Sequence, residues 1–128
     1  MMPTALDWLQ SLPRLSGEPG LDRMKALLAA LGDPQKRGRY VHIAGTNGKG
    51  SVAAFTANIL QKAGFKTGLT ISPYVLDFRE RMQIDGEMIS PEALASCVEE
   101  VRLEADQMAA EGRQPTEFEL VCATAFVW

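Results

Sequence analysis

Val41-His42-Ile43-Ala44-Gly45-Thr46-Asn47-Gly48-Lys49-Gly50-Ser51 decides how the rest of this chain reads. An apolar run enters a tight glycine loop carrying one lysine, and a helical pattern follows. Glycines let backbone N–H groups approach an anion with no Cβ in the way. The first turn of the helix adds unsatisfied N–H groups and the positive end of the helix dipole. Lys49 adds a full charge, and Ser51 adds a hydroxyl suited to a phosphate oxygen or Mg2+. The stretch reads as a cradle for the phosphates of a nucleoside triphosphate, formed by Thr46, Asn47, Gly48, Lys49, Gly50 and Ser51, with Lys49 as the catalytic charge. The competing reading is a plain glycine-rich strand-to-helix turn with a solvated lysine. The spacing also departs from the Walker A pattern, which would need Gly at 43 and Ser or Thr at 50; the chain has Ile43 and Gly50.

Outward from the loop, Tyr40 to Ala44 reads as a strand. A helix from about Lys49 to Ala63 carries Val52, Phe55, Ile59 and Leu60, and Gly64 stops it. Lys66 to Ile71 is the next strand pattern. This β-loop-α-β order predicts parallel pairing through a right-handed crossover. Ser72-Pro73 ends the run, residues 72–80 read as a loop, and Met82–Ile84 with Met88–Ile89 around Asp85-Gly86 predicts a small β-hairpin.

On the N-terminal side, Thr4 is placed to cap a short helix reaching about Leu12. Leu21 to Leu31 carries a helical apolar stripe that ends at Gly32 and Pro34, and a polar connector, Gln35 to Arg39, follows. On the C-terminal side, Pro91 opens a helix to about Ala110. Thr116 and Glu119 have capping-box spacing at the head of a last helix. Leu120 to Trp128 is apolar nearly all round, so that helix is expected to be buried and to lead into a further strand. Two parallel strands are too few for a covered α/β sheet. The expectation is an N-terminal piece of a larger enzyme.

Composition narrows the classes. The chain has 128 residues, 46% hydrophobic and 23% charged, with a net charge of −3, which suits a globular protein and not a nucleic-acid surface. There is no run of about 18 apolar residues to span a membrane and no signal-peptide pattern, so the default location is cytoplasmic. Cys97 and Cys122 lie in apolar helical patterns and read as small buried hydrophobes. His42 is the one histidine and reads as a strand residue, which excludes a Ser-His-Asp triad or a multi-histidine metal site.

Four segments carry a family resemblance: Pro19-Gly20-Leu21-Asp22-Arg23-Met24, the loop from Gly45 to Ser51, the run from Ser72-Pro73-Tyr74 through Phe78-Arg79-Glu80-Arg81, and Thr116-Glu117-Phe118-Glu119. In this order, across nearly the whole chain, they resemble the N-terminal part of the folylpolyglutamate synthase and dihydrofolate synthase family. The resemblance implies an α/β fold: an incomplete P-loop-containing, Mur-ligase-like ATPase domain with a parallel β-α-β core. Residues 1–128 would form the first part of the ATP-binding domain, with its remainder and the C-terminal domain absent. It also implies ATP and Mg2+ as cofactors, and folate or dihydropteroate with L-glutamate as substrates. The carboxylate would be activated as an acyl phosphate and attacked by the glutamate amine. In the full-length parent this is an ATP-dependent, C–N bond-forming ligase, expected to be a monomer.

Carried onto this sequence, the family pattern makes Ser72 the Mg2+ ligand. Tyr74 and Arg81 fall in the loop near the folate site. Gly17, Glu18 and Pro19 and Thr116, Glu117, Phe118 and Glu119 fall where the pteroate pocket is lined. Read without the resemblance, Ser72-Pro73 is a strand-ending turn, Thr116 and Glu119 are a capping box, and Arg79 to Arg81 are solvated charges. The family's later metal ligands are missing, so the chain alone is expected to be inactive. Two other classes stay open: a non-catalytic nucleotide-binding module, and a P-loop kinase or GTPase, against which the loop spacing argues. A peptidoglycan Mur ligase shares the loop but not the run through Arg81.

Overall fold

The computed structural model describes residues 4–12, 20–45, 47–72 and 76–128. The expectations for Gly17, Glu18, Pro19, Thr46 and Tyr74 lie outside these residues. In chain order the helices and strands are α1 (Ala5–Gln10), α2 (Asp22–Ala30), α3 (Lys49–Lys62), β1 (Gly68–Thr70), β2 (Met82–Ile84), β3 (Glu87–Met88), α4 (Pro91–Ala110) and α5 (Glu117–Val127), with 3-10 turns at Pro34–Arg37 and Phe78–Arg81. They divide into two compact units, one of Met1–Gly38 with Glu92–Trp128 and one of Arg39–Pro91.

The first unit is helical and built round α5. Leu120, Val121, Ala123 and Thr124 of α5 are buried, and the helix touches α1, α2 and the Pro34–Arg37 turn. An apolar helix needs cover on most sides, and here it has it. The buried Thr124 hydroxyl donates to the Leu120 carbonyl at 2.7 Å, so no polar group is stranded. Leu9 of α1 and Leu27 of α2 are fully enclosed, each burial contributing about 1.5–3 kcal/mol. α4 turns Leu94, Val98, Val101, Ala105 and Met108 inward, and its Arg102 guanidinium lies 5.0 Å over the Trp8 ring of α1. Both expected caps form: Thr4 with Asp7 on α1 and Thr116 with Glu119 on α5.

The second unit sets α3 beside a three-stranded sheet in the order β1-β2-β3. The hairpin forms where the sequence placed it. Asp85 and Gly86 both have positive φ, 51° and 82°, which is the two-residue turn whose twist matches the strands it joins. The Asp85 N–H donates to the Thr67 carbonyl at 2.8 Å, its carboxylate accepts from the Thr67 N–H at 2.8 Å, and its carbonyl accepts from the Gln61 amide of α3 at 2.9 Å.

The pairing differs from the expected parallel core. β1 runs antiparallel to β2, with Gly68, Leu69 and Thr70 opposite Ile84, Gln83 and Met82, and residues 40–44 form no strand. A parallel strand needs neighbours and covered faces, whereas Tyr40 and Val41 are 60% and 66% exposed. The hairpin is close in sequence and supplies β1 with its partner instead. His42 therefore sits on an irregular segment. The expected loop at 72–80 is also corrected. Its end is a 3-10 turn, because Asp77 and Glu80 form a reciprocal capping box.

Candidate phosphate-binding loop

The glycine loop delivers the chain into α3. Gly48 is the N-cap of α3 with φ 74° and ψ 1°, and no side chain caps the helix. A Cβ at Gly48 would meet nothing within 4 Å, so the demand for glycine comes from the left-handed backbone and not from crowding. The first helical bond runs from the Val52 N–H to the Gly48 carbonyl at 2.9 Å. The N–H groups of Lys49, Gly50 and Ser51 thus lie off the end of the ladder without helical acceptors. Asn47, Lys49 and Ser51 are exposed around them, and Lys49 makes no ion pair among the described residues. Open backbone donors and the helix dipole meet at the start of α3, whose first residue is an exposed lysine, which is the chemistry of an oxyanion site.

A second cluster forms where β1 and β2 extend past their ends. The Ile71 N–H donates to the Arg81 carbonyl at 3.3 Å, continuing the register and bringing Ser72 beside Arg81. Arg81 Nη2 donates to Ser72 Oγ at 3.4 Å, and its guanidinium lies 5.3 Å over the Phe78 ring. Arg79, two residues earlier, is paired with Asp77 at 3.0 Å. That guanidinium, followed by the Arg79 backbone N–H, holds the Asp77 carboxyl below its usual range. Glu80 is equally committed, accepting from the Leu76 and Asp77 N–H groups, each at 2.9 Å.

The third predicted group, Thr116 to Glu119, belongs to the helical unit. Glu119 Oε1 accepts from the Thr116 N–H at 2.9 Å and from Arg23 Nε at 3.0 Å. The side chains of that ion pair are only 18% and 13% exposed. Glu119 is thus tied to the helix start and to α2, while Phe118 is 58% exposed and Glu117 is half-buried. The sequence argument passed over Arg23, whose partner lies 96 residues away, and Phe78 as a platform. The alternation in Asp-Phe-Arg-Glu-Arg was the available signal for Phe78.

The two cysteines are less enclosed than the buried hydrophobes the sequence predicts. Neither is in a disulfide and both are half-buried, and burial, then the nearby Glu100 charge, push the Cys97 thiol up from its ordinary value. A thiol so placed is a weak nucleophile. Among the described residues no three His, Cys, Asp or Glu side chains gather as a metal site, and no helix is long and apolar enough to cross a membrane.

No family model matches the chain. Its sequence is 42% identical over 125 residues to the dihydrofolate synthase/folylpolyglutamate synthase of Bacillus subtilis (strain 168), a match covering 97% of this chain and 29% of that protein. Among solved structures, folylpolyglutamate synthetase from Lactobacillus casei has a TM-score of 0.89 at 40% identity, over 96% of this chain and 31% of that one. Across nearly its whole length, this chain is a folylpolyglutamate synthase/dihydrofolate synthase homologue. A folylpolyglutamate synthase complex with AMPPCP and folate gives a TM-score of 0.90 at 39% identity, over 96% of this chain and 30% of that one. The chain spans about three-tenths of the length of these synthases.

Proposed function

We propose that this chain is the nucleotide-binding N-terminal part of an ATP-dependent ligase that joins L-glutamate to the carboxylate of a folate or dihydropteroate. The observation that carries the reading is the uncapped start of α3 at Gly48, set beside Lys49 in a chain homologous to folylpolyglutamate synthases. In this reading the core of the parent is a Mur-ligase-like P-loop domain to which residues 1–128 contribute the first part. The parent works as a cytoplasmic monomer.

Phosphoryl transfer is chiefly positioning and charge neutralisation. The N–H groups of Lys49, Gly50 and Ser51, with Asn47, Gly48 and Thr46, hold the ATP phosphates. Lys49 neutralises charge that develops on the transferred group. Ser72 would offer Mg2+ one exposed hydroxyl, whose oxygen accepts, among the described residues, only a 3.4 Å bond. That fits a hard cation already carried on phosphates and water, since the described residues gather no acidic cluster to hold it. Bound Mg2+ supplies further neutralisation of phosphate charge. Tyr74, Arg81, the Gly17 to Pro19 segment and Thr116 to Glu119 are assigned to the acceptor side.

The test is calorimetric titration of the chain with AMPPCP. Binding is expected, with no glutamate-dependent ADP release from ATP by the chain alone. Lys49→Ala is expected to weaken AMPPCP at least tenfold and leave the unfolding midpoint unchanged. Unaltered affinity in Lys49→Ala would overturn the loop assignment.

A further inference from the structure

Arg79 and Arg81 leave the same 3-10 turn and meet opposite fates. Arg79 is neutralised by Asp77 at 3.0 Å and also reaches the Ile89 carbonyl at 3.4 Å. Arg81 has no carboxylate within ion-pair distance among the described residues. Its Nε is buried and has no hydrogen-bond partner. One side of its guanidinium rests on Phe78, itself 4% exposed and so a fixed platform. The strand register fixes the backbone behind it through the Ile71 N–H bond to the Arg81 carbonyl. Among the described residues, only the long bond from Nη2 to Ser72 Oγ uses any of its five donors.

An unpaired, partly desolvated guanidinium is costly unless something answers its charge. The charge here is held still by an aromatic ring, which is the arrangement that favours two-point recognition of an oxyanion. We propose that Arg81 binds an oxyanion through Nε–H and an Nη–H together, the ligand being a phosphoryl or carboxylate group presented beside Ser72. Arg81 then touches the substrate directly. The inference rests on the functional reading above for the source of that group: the terminal phosphoryl of the nucleotide or the carboxylate of the acceptor.

The experiment is nitrogen-15 NMR on the labelled chain, titrated separately with AMPPCP and with folic acid. The Arg81 Nε–H signal and the backbone amides of Lys49 to Ser51 are followed in the same spectra. The Arg81 Nε–H is expected to shift with one probe, which names the source of the oxyanion. Arg81→Lys, which keeps the charge but loses the fork, and Arg81→Gln should each weaken that probe at least about tenfold, the scale of a lost charged hydrogen bond. Phe78→Leu keeps Arg81 and removes its platform, and should weaken the same probe less. Movement of the Lys49 to Ser51 amides with a silent Arg81 Nε–H overturns the inference and leaves the loop standing. Movement of Arg81 with folic acid while the loop amides stay still with AMPPCP supports the inference and removes the loop reading. Silence of both reporters with both probes overturns both.

Discussion

The two units hold themselves together by different means. The helical unit has a dry interior: Leu9, Leu27, Val98, Val101 and Leu120 have no solvent exposure. In the unit of residues 39–91, α3 has no buried residue at all, and Val52, Phe55 and Ile59 on it are half to two-thirds exposed. That unit buries Phe78, Met82 and Ile89 and leans more on short-range hydrogen bonds: the Asp85-Gly86 turn, the Asp77–Glu80 capping box and the Gln61 bond to Asp85. Burial is cumulative and non-directional, so it makes a robust scaffold. Hydrogen bonds at the surface fix local angles but contribute only about 0.5–1.5 kcal/mol each. The glycine loop sits in the second kind of unit, where donors can stay open to a ligand.

The contrast can be broken most directly at Leu120. Leu120→Ala in the middle of α5 should cost about 2–5 kcal/mol by loss of packing and creation of a cavity, read as a lower urea midpoint. A loss below about 1 kcal/mol would mean that α5 is not the centre of a packed interior. Next comes Arg23→Ala, which leaves the Glu119 carboxylate half-enclosed and without its partner. The expected cost is about 1–3 kcal/mol, with Arg23→Lys recovering part of it. Equal stability of all three proteins would show the pair to be a bystander.

Acid sharpens the comparison further, because each unit has a described carboxylate whose folded pKa is depressed. Asp7 is lowered by its bonds with Thr4, backbone first, and Asp77 by Arg79. A depressed carboxylate stabilises the fold above its unfolded value of about 3.9, and that contribution is lost as pH falls through the lower folded value. The Arg79 amide, in the unit with fewer buried apolar side chains among the described residues, should lose hydrogen-exchange protection at higher pH than amides beside Leu9. Simultaneous loss in both would show that the units unfold as one. The smallest effect is expected at Phe55, which is 69% exposed. Phe55→Ser should move the urea midpoint by no more than about 0.5 kcal/mol equivalent, and a larger loss would reveal hidden packing on α3.

The features legible in the sequence were those that a few neighbouring residues settle. Thr4 with Asp7, Thr116 with Glu119 and Asp85 with Gly86 each carry their own geometry, and each formed. The glycine at position 48 was read as room for an approaching anion, and its left-handed backbone, φ 74°, came only with the structure. What failed was what depends on distant partners. The apolar run at 40–44 has strand chemistry, but a strand exists only when another pairs with it, and β1 took the hairpin instead. The tie between Glu119 and Arg23 was equally hidden, because the two lie 96 residues apart and nothing local links them. Arg81 was legible as a candidate, yet its ring platform and unused Nε required coordinates.

The Gln61–Asp85 bond makes α3 a lever. It is the one side-chain hydrogen bond by which α3 leaves its own helix among the described residues, and it grips the C-terminal end. The 14 residues of α3 put the glycine loop about 20 Å from that fulcrum at 1.5 Å per residue. A tilt of about 5° at Gln61 would sweep the loop through about 2 Å over that length, enough to undo a hydrogen bond. The aim of the glycine loop is therefore set at the far end of α3, by a turn of two residues.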